Sequence, residues 1–200
     1  MGVFDTIRQA LGLGVETDAT REAAPEDLFG MSTAYLSMES DLGFAPTGDA
    51  ALCFADVDST AFRDARSEVE AVLEAGREET GTVASFIEDS HGYSWVVLSD
   101  PDFEDLVTSV HFAADTLIEE GFGSRLLAAL FSFERDGLTA YWAYSFRRGA
   151  YYPFVPTGGH ERDSSLEFKL ESNLDGELEI EDDTSYWYPM WPDGDAHPWG

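Results

Sequence analysis

Apolar residues recur along this chain with two periods, and the switches between them mark its elements. Val3, Phe4, Ile7 and Leu11 fall three to four apart, which predicts a short amphipathic helix over residues 1–14 that Gly12 and Gly14 end. Residues 15–25 read as a polar linker. Leu28, Met31, Tyr35, Met38 and Leu42 share one helical face behind Pro25, and Gly43 stops them. Asp49–Asp56 reads as a buried strand. Asp58 or Ser59 then caps a helix whose face is Phe62, Ala65, Val69, Val72 and Leu73 and whose end is Gly76. Thr82–Glu88 and Tyr93–Leu98 flank D-S-H-G as a hairpin. Asp100 as cap and Pro101 at the first position open the clearest helix, with Phe103, Leu106, Val107, Val110, Ala114, Leu117 and Ile118 in register up to Gly121.

Arg125–Phe133, Leu138–Phe146 and Ala150–Val155, separated by R-D-G and R-R-G, form a three-strand meander. Asp163–Asn173 is assigned as a helix capped by Asp163, although Leu166, Phe168 and Leu170 also alternate like a strand. Glu177–Asp183 is an acidic connector. Tyr186–Trp191 must pack back on the body, since exposed tryptophans are costly. Helices interleave with hairpins rather than single strands. The expected class is α+β, a mainly antiparallel sheet covered by helices, analogous to secretion-chaperone-like helix, hairpin, helix, meander arrangements. The expected domain division is 1–14, linker 15–25, a single domain over 26–176, and a C-terminal tail over 177–200 packed on that domain.

Charge changes the picture. The 200 residues carry 40 Asp+Glu against 11 Lys+Arg, a formal charge of −29. The acids spread evenly along the chain rather than gathering in a tail, which points to a solvated coat for high salt, where the Debye length falls to about 3 Å. Ten of the eleven bases are Arg, and only Lys169 is Lys, as expected of a halophile. Such a coat excludes nucleic-acid binding. Cys53 stands alone, so neither a disulfide framework nor a cysteine zinc site is available, and it reads as a buried core residue. The longest uncharged run, Gly149–His160, is shorter than the roughly 18 residues a membrane span needs, and the N-terminus lacks an apolar signal core. A cytoplasmic protein is expected.

Catalytic patterns are weak. Lys169 lies in no phosphate-binding loop, and G-F-G-S-R at Gly121–Arg125 follows a helix and enters a strand, the reverse of a dinucleotide turn. His91, His111, His160 and His197 are scattered, and His111 reads as a packing residue. Asp193, Asp195 and His197 read as a solvated terminus, and Ser90-His91 lacks an acid partner. No enzyme, cofactor or metal is therefore expected. The distinctive stretch is Tyr141–Asp163. Arg147, Arg148, Arg162 and His160 are expected near Tyr151, Tyr152 and Phe154, where guanidinium groups can stack on rings and fork onto carboxylates or phosphates. Two outcomes stand: an anion or acidic-partner site, or ion pairs with the chain's own acids such as Glu161, Asp163 or Glu167. Phe44-Ala-Pro-Thr-Gly48 recurs as Phe154-Val-Pro-Thr-Gly158, two uses of one turn.

The segment Arg147–Glu167 (R-R-G-A-Y-Y-P-F-V-P-T-G-G-H-E-R-D-S-S-L-E) resembles the signature of the PspA-associated family called PspAB. Gly43–Gly48 followed by Leu52-Cys-Phe54, His91–Trp95, His111–Leu127 and Trp187–Pro192 fit in matching order, so the resemblance spans about residues 27–192. The chain departs from the pattern at Gly159–Glu161, where another Arg is expected, and at Ser164–Ser165, where Asn is expected. With the acid coat, this points to a haloarchaeal branch. The resemblance implies an accessory component of a phage-shock-type envelope stress response. It implies a PspA-like coiled-coil partner, an HtpX-like membrane metalloprotease as a further partner, and contact with the membrane only through partners. It carries over no catalytic residue. The expected role is a non-enzymatic adaptor that uses Val3, Phe4, Ile7 and Leu11 as an anchor and the arginine surface as a partner contact. The alternatives are a chaperone-like holdase for unfolded segments, or an anion-binding enzyme at the Arg147–Arg162 cluster.

Overall fold

Apolar runs in the central strands send successive side chains to opposite sides and give this protein a sheet with two apolar faces. The computed structural model describes residues 22–88, 93–192 and 197–199. The strands are β1 (Ala45–Ala55), β2 (Val83–Glu88), β3 (Tyr93–Ser99), β4 (Leu126–Arg135), β5 (Leu138–Ser145) and β6 (Ala150–Phe154). They form one antiparallel sheet in the order β2-β3-β1-β4-β5-β6. A small ribbon of β7 (Pro156–Gly158) and β8 (Glu161–Arg162) follows. Among the described residues, four α-helices complete the α+β fold: α1 (Met31–Leu42), α2 (Thr60–Thr80), α3 (Phe103–Glu119) and α4 (Ser164–Leu174).

Leu52, Phe54, Val96, Phe131, Trp142 and Tyr151 point to the helical layer and make the main core with Met38, Phe62, Val107 and Leu170. The intervening residues Ala51, Cys53, Trp95, Leu130, Tyr141 and Tyr152 make a second core on the opposite face. Trp187 closes that face, with Tyr188, Met190, Trp191 and Trp199 half-buried beside it. The aromatic tail thus packs back on the body, as its composition requires. Cys53 is fully buried.

Capping chemistry sets most boundaries. Ser59 accepts from the Phe62 N–H to start α2, and Asp163 accepts from the Leu166 N–H to start α4. Gly43 ends α1 at φ 70°. Asp136 and Gly137 turn the β4–β5 hairpin at φ 53° and 79°, both left-handed as a two-residue type I′ turn demands.

Several expected boundaries are corrected. Pro25–Gly30 is a 3-10 turn, and the α-helical hydrogen bonds begin at Met31. Gly76 does not end α2, which runs on to Thr80 and stops at Gly81 with φ 86°. A helix interior tolerates one glycine, and the left-handed terminus is what requires one. Asp100 does not cap α3. That role falls to Asp102, which accepts from the N–H groups of Glu104 and Asp105. β1 begins at Ala45 rather than Asp49, because a two-residue bulge around Gly48 lets Ala45 and Pro46 stay paired to β4. The expected helix over 1–14, with Val3, Phe4, Ile7 and Leu11, lies outside the described residues, as do most of the linker, His91, Asp193 and Asp195.

Candidate functional site

The meander brings the arginine group to one end of the sheet, against the returning tail. Arg148 leaves the β5–β6 turn and forks onto Glu181, with Nε 2.6 Å from Oε2 and Nη2 3.0 Å from Oε1. Its guanidinium lies 3.9 Å from the Tyr186 ring centroid. The Glu181 hydrogen bond raises the Arg148 pKa further. Arg162, on β8, donates from Nε to both oxygens of Glu167 at 2.9 Å and from Nη1 to the Trp187 carbonyl at 2.8 Å. It also covers Phe154 at 5.0 Å. Glu167 is 2% exposed and accepts in addition from the Val155 N–H at 2.8 Å. Both guanidiniums are thus engaged by the chain's own acids, Glu167 among those anticipated and Glu181 not. Together they clamp the tail across the second face of the sheet. Arg147 is half-buried, and His160 is exposed at φ 58° with its ring 5.3 Å from Trp191.

Tyr151 and Tyr152 lie inside, 2% and 4% exposed. Burial holds both phenols well above their ordinary pKa, with nearby Tyr144 and Asp27 adding to the effect at Tyr151 and the Arg162 charge opposing it at Tyr152. Tyr141 is pushed up to about 12, by burial and then by Asp49. None of the three loses its proton near neutrality, so they serve as posts rather than bases. The Tyr151 hydroxyl donates to the Leu28 carbonyl at 3.1 Å and the Tyr144 hydroxyl to Asp27 Oδ2 at 2.9 Å. These bonds hold the Pro25–Gly30 turn from beneath, burying Leu28 and turning Phe29 outward.

Phe29 is the start of a surface that pattern reading passed over. It is 41% exposed and lies 4.6 Å from the His111 ring, and Phe112 beside it on α3 is 48% exposed. Leu36, 52% exposed, follows on α1 about two turns after Phe29. The signal was present in the sequence. Phe112 sits off the face that Phe103, Leu106, Val110 and Leu117 define, where a soluble helix normally places a polar residue. His111 packs there as expected of a half-buried histidine.

Asp100, expected as a helix cap, has a different role. It is 4% exposed and accepts from the Thr82 hydroxyl at 2.6 Å and the Asp102 N–H at 2.8 Å, while its own N–H meets the Gly48 carbonyl at 2.9 Å. It ties the β1 bulge, the β2 start and the α3 start into one joint. The repeated Phe-x-Pro-Thr-Gly turn has a shared geometry. Both glycines are left-handed, at 86° and 93°, and both phenylalanines lie under an arginine, Arg135 at 4.4 Å and Arg162 at 5.0 Å.

Among the described residues, no group of three acids, histidines or cysteines is placed to hold a metal ion, and no helix is long and apolar enough to cross a membrane. No curated protein and no solved structure matches the chain. The family model for PspAB, PspA associated protein B, matches residues 1–199, and the chain belongs to that family.

Proposed function

We propose that this chain is a non-enzymatic adaptor in a PspA-type envelope stress response, acting through protein–protein contacts at the membrane face. Family membership supplies the association with PspA. The exposed aromatic face of Phe29, His111 and Phe112 is the observation that carries the adaptor role. In a chain of net charge −29, adjacent exposed rings on a helical layer are a costly surface unless something covers them. A PspA-like coiled coil presents the complementary element, a helix with apolar anchors at i, i+3, i+4 and i+7. Val3, Phe4, Ile7 and Leu11 offer a second anchor of the same kind. At high salt, exposed ion pairs are screened, so apolar and aromatic contacts dominate the affinity. The arginine group then contributes indirectly, by clamping the tail, with Arg147 and His160 at its rim as a secondary contact for an acidic partner.

The test is affinity purification of the chain from its own cells in molar KCl. The PspA-like protein should co-purify with the parent chain, and Phe29→Glu with Phe112→Glu should lose it without a change in melting temperature. Deleting residues 2–14 should lower recovery in the membrane fraction. Retention of the partner by the Phe29/Phe112 variant refutes the surface.

A further inference from the structure

The two edges of the main sheet are treated differently. At the β6 edge the returning tail seals the strand: the Tyr151 N–H donates to the Glu179 carbonyl at 2.7 Å, the Glu181 N–H donates to the Tyr151 carbonyl at 2.9 Å, and Tyr151 and Ile180 form a parallel bridge. At the other end stands β2. Among the described residues no strand pairs with its outer side. An unpaired edge is a template for another strand, and proteins normally blunt it with a lysine, a proline or an inward charge. Here the body of the strand, Val83–Ile87 (V-A-S-F-I), contains none of these in a chain that is 26% charged, and the one charge of β2, Glu88 at its end, is held by Arg66 of α2. Ala84 and Phe86 pack toward the helices, so Val83, Ser85 and Ile87 face the other side. Val83 is 48% exposed and Ile87 43%.

We infer that β2 pairs with β2 of a second copy of this chain, antiparallel about a twofold axis through Ser85, to give one continuous sheet across the two copies. Three observations favour a second copy over another partner. The strand is symmetric in its outward face: Val83 and Ile87 flank Ser85 at equal spacing, so the twofold sets Val83 of each copy opposite Ile87 of the other. This is a cross-strand pair of β-branched residues, with the two small serines meeting at the axis. The centre of the contact, Val83–Ile87, carries no charge, and Glu88, which falls opposite the partner's Thr82, is neutralised by Arg66 of its own chain, so two like-charged copies can approach there. The same axis also sets the two α2 helices antiparallel on one side of the sheet. The first turns of α2 carry Arg63 and Arg66 around Asp64, while the later turns carry Glu68, Glu70, Glu74, Glu78 and Glu79 against Arg77 alone. Arg66 stays with Glu70 and Glu88 of its own chain, and antiparallel apposition brings the exposed Arg63 toward the partner's acidic end.

Sedimentation equilibrium of the full chain in molar KCl at about 100 µM tests this. The parent should sediment at twice the 22.0 kDa chain mass. Val83→Lys with Ile87→Lys should sediment at the single mass with an unchanged melting temperature. Ser85→Cys should form an interchain disulfide under mild oxidation, because facing residues in an antiparallel pair lie about 4.5–5.5 Å apart. Val83→Cys alone should form none, its copies being about 13 Å apart along the strands, and buried Cys53 should stay unreacted. A monomeric parent, a dimer that survives the double lysine variant, or a dimer in which Ser85→Cys fails to cross-link overturns the inference.

Discussion

Arg162→Met is the sharpest probe of the clamp that holds the tail. In the folded protein the Glu167 carboxylate is 2% exposed and accepts from the Arg162 Nε and the Val155 N–H. Removing the guanidinium leaves a buried charge with one neutral donor and strips the Trp187 carbonyl of its partner. Breaking one half of a buried ion pair costs about 3–5 kcal/mol, and a chain of this size loses about 2–4 °C of melting temperature per kcal/mol, so a fall of roughly 10 °C is expected. Burial makes the loss persist in molar KCl, whereas Arg77→Met, at a surface pair with Glu74, should leave melting unchanged within about 1 °C. Adding Glu167→Gln removes the charge but keeps an acceptor for Val155. The double variant should therefore recover about half of the loss or more, with a coupling energy of about 1–3 kcal/mol in the double-mutant cycle. Melting of Arg162→Met within about 2 °C of the parent, or a coupling below about 0.5 kcal/mol, refutes the clamp.

Gly48→Ala should destabilise by about 1–2 kcal/mol or more from the left-handed backbone alone, with a further cost because its Cβ would lie 3.0 Å from the Asp100 carbonyl oxygen. Gly81→Ala has the same φ of 86° and open space, so urea titration should show the smaller loss there, and equal losses refute the close approach. Burial lowers the His197 pKa to about 4. Because the folded value lies below the unfolded one, tail docking is complete above pH 6.5 and weakens as pH falls toward 4, by up to about 3 kcal/mol, and tryptophan fluorescence should follow this and lose it in His197→Phe. If the acid coat is an adaptation to salt, transfer from molar to 0.1 M KCl should lower the melting temperature; an unchanged value refutes that reading.

The sheet and its helices were legible because their signals are local. Apolar runs at Leu126–Phe133 and Leu138–Tyr144 between Gly-bearing turns, helical register in Phe103–Leu117, and the caps at Ser59 and Asp163 each depend on residues within a few positions. Where local signals compete, reading failed. Gly76 and Gly81 can each stop a helix, and the contacts of Thr82, just ahead of β2, with Thr80 and Asp100 decide between them. Asp100 and Asp102 are both plausible caps, and the choice depends on Thr82 and Gly48, which are distant in sequence. The inward turn of Tyr151 and Tyr152 was equally invisible, because it is set by the Pro25–Gly30 turn and a tail that arrive from opposite ends of the chain.

The fate of the arginines follows the same logic. With 40 acids and 11 bases, any guanidinium drawn toward the interior has several carboxylates within reach, and the pairing that persists is the one that also satisfies backbone groups. Glu167 meets that condition at the Val155 N–H, and Glu181 meets it at the Asp183 N–H, 3.1 Å away. Glu161 and Asp163, closer to Arg162 in sequence, do not hold it: Glu161 is exposed on β8, and Asp163 is committed to capping α4. Proximity in sequence therefore misassigns the partner, while an accounting of which acids are already engaged as caps selects Glu167. In the acid-rich connector Asp183 caps the turn at Thr184–Tyr186, Glu177 accepts from the Ser37 hydroxyl, and Glu179 and Asp182 are exposed, so the buried Glu181 is the acid that meets Arg148.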